Sequence, residues 1–331
     1  MRFIQVGVGG FGRVWVSLLA SDEEAEIAAL VDVDEAALAR GADTTGVSGE
    51  ACFSDFREAF SQVEADAVVN VTPPAVHRDV LLAAFEQGLD VLTEKPLAAD
   101  MDSARELVEA ADEADCTLMV SQNYRFRRWA HTVEGLLAEE SVDLPDNISV
   151  RFAAAPRFAE SFRRSMEHPL VVDMSIHHFD LMRALTGLEP RSVYATTWRP
   201  AWSWFEHDPC CMAVFQFEQG LKVCYDASWV SRGRQTSSNG YWRIECRQLS
   251  IELLSNKVHV LQGPGDVRDA EVEMRDLPCE DQAYSLMEFR RAIEEGRQPE
   301  ASGRDNLNSL AMVYAVLKSS HTGAPVEIEE V

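Results

Sequence analysis

The chain has 331 residues, more than one domain usually holds, and 46% of them are hydrophobic, so two cores are expected. It carries 55 acidic against 30 basic residues, a formal charge of -25, which argues against nucleic acid or an anionic membrane as a partner. No apolar run is long enough to span a membrane. Met1 leads straight into a strand-like stretch with no basic-then-apolar leader, so a cytoplasmic protein is expected. The seven cysteines lack CxxC spacing and read as thiols outside any disulfide or metal site, mostly small buried apolar groups. Only Lys95, Lys222, Lys257 and Lys318 are lysines. An acidic, lysine-poor chain matches proteins of salt-loving organisms, where salt screens self-repulsion; an ordinary acidic cytosolic protein is the other reading.

Residues 2–120 alternate strand and helix. Strands are expected at Phe3–Val6, Ile27–Val31, Ala67–Val71, Leu89–Leu92 and Thr117–Val120. Helices are expected at Gly10–Ala20, Glu35–Arg40, Asp55–Gln62, Ala75–Gln87 and Asp100–Ala114, with a loop over Gly41–Glu50. This rhythm implies parallel βαβ units and a doubly wound sheet. Beyond Asn123 the pattern changes. Helices are expected at Trp129–Ala138, Val172–Thr186, Gln282–Glu294 and Asn306–Ser319. Strands are expected at Ile148–Phe152, Val193–Thr197, Met212–Phe217, Leu221–Ser228, Tyr241–Cys246 and Ser250–Leu254, with a hairpin turn at Gln219-Gly220. The fold class is therefore α/β: a Rossmann-type domain over residues 1–121, then an α+β domain over 122–331 with a large, mainly antiparallel open sheet.

Gly7-Val8-Gly9-Gly10-Phe11-Gly12 matches GxGxxG between a strand and a helix, the context a dinucleotide site requires. Gly7 permits the tight turn, Gly9 lets a pyrophosphate approach the backbone, and Gly12 lets helix and strand pack closely. The N–H groups at the helix start, around Gly10 and Phe11, are left for phosphate. Asp32 ends the second strand, where a carboxylate accepts from ribose hydroxyls and repels a 2′-phosphate, so NAD is favoured over NADP; Asp34 is a rival for the role. Thr72-Pro73-Pro74 ends the third long strand and either walls the cofactor pocket or is a structural turn. His77 follows it, as a capping or surface residue rather than a catalytic one.

Thr93-Glu94-Lys95-Pro96 ends the next strand. Gly7, Asp32, Thr72 and Glu94-Lys95 then share the carboxyl edge of one parallel sheet, where ligands of such sheets bind. Lys95 is the cation of that set, placed where cofactor and substrate meet; Glu94 is a cofactor-side or lysine-positioning group. On a second-domain helix, Asp173 and His177 stand at i and i+4 on one face, with Asp180 a turn further. A carboxylate beside a histidine orients the ring and makes it a candidate general acid/base. A surface ion pair explains the same pattern. A metal held by Asp173, His177 and His178 is disfavoured, because neighbouring histidines on a helix diverge.

Together these motifs resemble the Gfo/Idh/MocA family of oxidoreductases. The resemblance rests on Gly7–Gly12, Val71-Thr72-Pro73-Pro74 with His77, and above all Glu94-Lys95-Pro96. Asn123-Tyr124-Arg125-Phe126, Asp173-x-x-x-His177-x-x-Asp180 and the C-terminal stretch to Val326 support it. It implies NAD(P)-dependent oxidation of a carbinol, or the reverse, on a sugar, sugar derivative or cyclitol. Lys95, Asp173 and His177 would form the catalytic set, with His77, Glu94, Lys95 and Asn123 joining the glycine loop, Asp32, Thr72 and Pro73 around the cofactor. It also implies a homo-oligomer, dimer or tetramer, built through the C-terminal sheet. Other chemistry in such a chain is glycoside cleavage or epimerisation with NAD retained, or ligand sensing without catalysis. Two departures, Ser175 in place of a common glycine and His168-Pro169-Leu170-Val171-Val172 in place of a glycine-rich run, bear on the substrate. Trp202, Trp204, Trp229, Arg163, Arg164 and Arg232 are available for substrate contacts, and each has an ordinary structural reading as well.

Overall fold

The computed structural model describes residues 1–158, 162–263 and 267–329. The chain forms two units: Met1–Gln122 with Gln282–Leu307, and Asn123–Asp281 with Asn308–Val331. Residues 282–307 cluster with the first unit, within the C-terminal stretch whose helix is expected to be able to pack back on the first domain.

The first unit runs β1 (Arg2–Val6), α1 (Gly12–Ser21), β2 (Glu26–Val31), α2 (Glu35–Thr45), β3 (Cys52–Phe53), α3 (Phe56–Gln62), β4 (Ala67–Asn70), α4 (Pro74–Phe85), β5 (Asp90–Thr93), α5 (Met101–Glu113) and β6 (Leu118–Val120). The sheet order is β3-β2-β1-β4-β5-β6, and every pairing is parallel. All carboxyl ends thus lie on one edge, and the order reverses between β1 and β4, where such sheets bind ligands. Its strands are buried on both faces, as β4 shows throughout. The helix α2 extends through Gly41–Thr45, which was expected to be loop. Asp34 caps its start, and left-handed Gly46 (φ 73°) ends it. Gly41 is retained there because a Cβ would press on Leu30 at 3.0 Å.

The second unit contains α6 (Arg128–Leu137), β7 (Asn147–Ala153), α7 (Ile176–Thr186), β8 (Pro190–Trp198), β9 (Cys210–Phe217), β10 (Lys222–Ser228), β11 (Tyr241–Glu245), β12 (Leu249–Leu254), β13 (Lys257–Gln262) and β14 (Arg268–Val272). Helices α8 (Asp281–Glu295) and α9 (Gly303–Thr322) and strand β15 (Val326–Glu327) complete the chain. The sheet order is β14-β13-β12-β11-β7-β10-β9-β8-β15, and among its pairings only β7 with β10 is parallel. Along β9, Cys211, Ala213, Phe215 and Phe217 are buried while Met212, Val214 and Gln216 between them are not, the alternation of a sheet with one covered face. Strands β13 and β14 were not anticipated. Ser255 and Asn256 both take positive φ (52° and 62°), which makes a two-residue hairpin between β12 and β13.

The expected helix Val172–Thr186 is instead a π-helical turn, Leu170–Ser175, followed by α7. Such turns concentrate at functional sites. Asp180 is not on an open face: it is buried, and Arg125 grips it with Nε–Oδ2 and Nη2–Oδ1 contacts of 2.6 Å each. Ser309 adds a hydroxyl at 2.7 Å. The cysteines are less buried than expected. Only Cys210 and Cys211 are fully so, Cys224 is exposed, and no disulfide joins any of the seven. No helix among the described residues is long and apolar enough to cross a membrane.

Removing one partner of a buried ion pair strands the other charge, at a cost of about 3–5 kcal/mol. Asp180→Asn should therefore lose stability of that order in urea titration. The double replacement Arg125→Met/Asp180→Leu should recover most of the loss.

Candidate active site

At the end of β1 the glycine loop is built without tolerance. Gly7 takes φ 87°, and a Cβ on it would stand 2.7 Å from the Val71 carbonyl oxygen; one on Gly12 would stand 2.2 Å from the Gly7 oxygen. Gln5, a polar residue in an otherwise apolar strand, donates from Nε2 to the carbonyls of Gly7 (3.0 Å) and Gly12 (2.8 Å) and braces both ends of the loop. The starts of α2, α3 and α5 are capped by Asp34, Asp55 and Asp100, but α1 has no side-chain cap. An uncapped helix start suits a dinucleotide's phosphates, although the Gly12 and Val14 N–H groups there already bond the Gly9 and Phe11 carbonyls at 2.7 and 2.9 Å.

Asp32 stands at the end of β2, as expected for a ribose ligand. Its Oδ2 accepts from the N–H groups of Val8 and Gly9, both at 2.9 Å, and its Oδ1 from that of Asp34. A carboxylate oxygen has a second lone pair, so Asp32 can hold the loop and still accept from a hydroxyl. Asp34 spends its carboxylate on capping α2. These residues fit a dinucleotide: Gly7 and Gly12 leave no room for a Cβ, α1 starts without a side-chain cap and Asp32 hydrogen-bonds the loop between them.

At the end of β4, Asn70 is buried and donates to Thr93 Oγ1 at 2.9 Å, while Thr72 Oγ1 donates to Asn70 Oδ1 at 2.8 Å. Asn70, which the sequence did not mark, thereby fixes the exits of β4 and β5 together. His77 is not at the surface. It is fully buried, with ring nitrogens 2.8 Å from the Thr72 oxygen and 3.2 Å from the Leu97 oxygen. Its ring braces the Thr72 turn against the segment after Lys95, and burial lowers its pKa against the pull of the two carbonyls.

From Val91 to Ala98 every residue but Lys95 is buried. Glu94 turns inward and accepts from the Trp15 indole N–H at 2.9 Å. Burial pushes its carboxyl above the usual range, opposed by the charge of Lys95 and the Trp15 hydrogen bond. The peptide between Lys95 and Pro96 is cis.

In the second unit, the His177 ring stacks on Tyr124, centroids 4.3 Å apart and planes within 10°. Arg127 lies over the same tyrosine at 3.4 Å, making a guanidinium–phenol–imidazole stack. Arg127 Nε also donates to Asp281 at 2.7 Å. Asn123 donates its amide to Asp281 at 2.9 Å. Asp173 is held by the Arg163 fork, Nε–Oδ2 2.5 Å and Nη2–Oδ1 3.3 Å. Its arginine partner lies ten residues upstream, where no helical period shows it.

His178 diverges from His177, as adjacent helical residues do. It is fully buried, its Nδ1 3.0 Å from the Tyr225 hydroxyl and its Nε2 3.1 Å from the Ser238 oxygen. The Tyr225 hydroxyl donates to Ser175, 2.9 Å away, and Ser175 donates to the Leu170 oxygen at 3.2 Å. Ser175 is thus a strut of the π turn that carries Asp173. Burial lowers the His178 pKa to about 4.

Two family models match. Residues 1–122 match the NAD-binding Rossmann-fold oxidoreductase model, and residues 147–252 match the C-terminal domain model of the same Gfo/Idh/MocA family. An uncharacterized protein of Sinorhizobium fredii is 28% identical over 99% of this chain and 96% of its own. D-apiose dehydrogenase of Paraburkholderia graminis is 26% identical over 98% of this chain and 88% of its own. An oxidoreductase of Agrobacterium radiobacter, solved with NAD+, L-tartaric acid and magnesium, shares the fold with a TM-score of 0.90 at 21% identity, covering 99% of this chain and 98% of that one.

His178 gives the site a pH signature. Unfolded, it titrates near 6.5; folded, near 4. Above pH 6.5 both states are neutral and the stability is fully present. Between the two values only the unfolded chain takes the proton, so stability falls as pH drops, by up to about 3 kcal/mol. Urea titrations of the wild type and His178→Asn at pH 7 and pH 4.5 should show the wild type losing the more between them.

Proposed function

The chain belongs to the Gfo/Idh/MocA family of NAD-binding oxidoreductases, and on that footing we propose that it is a dehydrogenase of a small polyhydroxylated substrate: a sugar, a sugar derivative or a cyclitol. The observation that carries the reading is the carboxyl edge of the first sheet. There the glycine loop, Asp32, Thr72 and Lys95 follow neighbouring strands, and Lys95 alone in its stretch is left partly open.

NAD bound at that edge would supply the hydride acceptor. The residues that would hold it are Gly7, Gly9, Gly10, Phe11 and Gly12 at the phosphates and Asp32 at the ribose, with Thr72 and Pro73 along the pocket. Asn70 and His77 act behind these, since both are buried and hold the turn. Lys95 would hydrogen-bond the oxygen of the reacting carbinol and stabilise the negative charge that develops there. His177, its ring plane set by Tyr124, would take the hydroxyl proton. Asp173, neutralised by Arg163, orients substrate or histidine rather than acting as a free base. Glu94 would act as a support of Lys95 rather than a cofactor ligand, since it is buried against Trp15, and the Asn123 amide is committed to Asp281.

We read Asp32 as selecting NAD over NADP, since its carboxylate would face a 2′-phosphate. We also read the acidic, lysine-poor surface as adaptation to high salt. The solvent face of the second sheet, where exposed Tyr194 and Val214 are register partners, is the surface we assign to self-association.

A panel of sugars and cyclitols, run at low and at molar salt, should give one NADH per substrate oxidised. Substrate consumed without NADH would mean that the cofactor is cycled internally. Lys95→Ala should lower kcat by at least about 10²-fold while the NAD affinity stays within a few-fold of wild type; wild-type turnover would remove Lys95 from the mechanism. Asp32→Ala should narrow the kcat/KM preference for NAD over NADP by roughly an order of magnitude.

A further inference from the structure

Three loops leave one edge of the nine-stranded sheet. Ala153, Ser228, Cys210 and Trp198 are successive register partners across β7, β10, β9 and β8. Segments 154–168, 229–240 and 199–209 therefore start or end side by side. They are also stitched together. The Ser231 N–H donates to the Ala154 oxygen (3.0 Å), that of Trp229 to the Pro209 oxygen (3.0 Å) and that of Glu206 to the Arg164 oxygen (2.9 Å). The β8–β9 loop presents two indoles, each pinned by a flanking loop: Trp202 donates to the Val230 oxygen at 3.3 Å and Trp204 to the Pro156 oxygen at 2.8 Å.

Each indole carries a guanidinium. Arg157 lies 3.9 Å from the Trp204 ring centroid, and Arg232 lies 5.9 Å from that of Trp202. Stacking uses the flat face of arginine and leaves its N–H edge for an oxyanion. The first of these loops also supplies Arg163, the partner of Asp173, so that loop adjoins one of the proposed reacting groups of this unit. Their charge runs against the rest of the chain. By sequence the three loops hold Arg157, Arg163, Arg164, Arg199, Arg232 and Arg234 against Glu160, Glu167, Glu206 and Asp208, an excess of positive charge in a chain of net charge -25. Arg157 and Arg232 are both exposed. A chain of such negative charge repels anions at long range, so a local positive edge beside a polar site has the sign needed to recover them.

We propose that these loops form an oxyanion subsite, and that the substrate is a polyhydroxylated molecule bearing a carboxylate or a phosphate monoester. Arg157 and Arg232 bind the oxyanion, Trp202 and Trp204 lie against the apolar C–H faces of the carbon skeleton, and Arg163 keeps the charge of Asp173 from repelling it. The proposal rests on the dehydrogenase reading and narrows its substrate class.

The test measures binding rather than turnover. The NADH-bound wild-type chain is titrated by calorimetry with D-gluconate, sorbitol 6-phosphate and neutral sorbitol. At least one anion should bind about tenfold or more tightly than sorbitol; which one does so separates carboxylate from phosphate. In Arg157→Gln/Arg232→Gln that preference should fall by about tenfold, and in Arg157→Lys/Arg232→Lys by less, because the charge stays but the stacked fork is lost. NADH affinity reports that each variant is folded. Equal binding of sorbitol and both anions, no binding of either anion, or a preference that survives in the glutamine variant would each overturn the proposal. Failure of every substrate to yield NADH would instead count against the dehydrogenase reading.

Discussion

The hydrogen bond from the Trp15 indole to the buried Glu94 carboxylate ties the first turns of α1 to the end of β5. One end of that link is the helix that follows the glycine loop; the other is the residue before Lys95. A buried carboxylate is costly unless it is paired and hydrogen-bonded; here the Lys95 charge and the Trp15 hydrogen bond oppose the burial, which still raises the Glu94 pKa. Glu94, the residue before Lys95, is therefore tied to the helix that follows the glycine loop. Asn70 and His77 repeat the device at β4: each is buried, and each spends its polar atoms on the exits of neighbouring strands. The parallel register makes this economical, because four strand ends are aligned by backbone pairing alone and need only local bracing.

The second unit solves a different problem. Its polar groups sit on one helix preceded by a π turn, and each is placed by a partner distant in sequence. Asp180 is claimed by Arg125 and Ser309, His178 by Tyr225 and Ser238, and His177 by the face of Tyr124. Asp173 faces Arg163. Of two adjacent histidines, one is sealed into the core with a depressed pKa, and the other is stacked on the Tyr124 ring.

The first unit was largely legible because its signals are local. A glycine that must avoid a carbonyl at 2.7 Å, a strand followed by a helix, and an acid at the next strand end all lie within short stretches. The misreadings have the same explanation in reverse. Gly41 looked like a loop because its packing against Leu30 is a tertiary fact. Gln5 and Asn70 gave only the weak signal of an amide inside an apolar strand. In the second unit a period-3.6 reading put Asp173, His177 and Asp180 on one face; the structure adds partners 10 to 129 residues away, Arg163 for Asp173 and Ser309 for Asp180, which no helical period shows. The hairpin at Ser255-Asn256 was missed because serine is not a usual left-handed residue.

The central claim is that the carboxyl edge of the first sheet is one prepared dinucleotide site ending at Lys95. Crystals grown with NAD test it most directly. The account predicts pyrophosphate density within hydrogen-bond distance of the backbone N–H groups of Gly10 and Phe11, an adenosine ribose on Asp32, and the nicotinamide ring at Thr72 and Lys95. Density for NAD elsewhere, or a nicotinamide running away from Lys95, would contradict it.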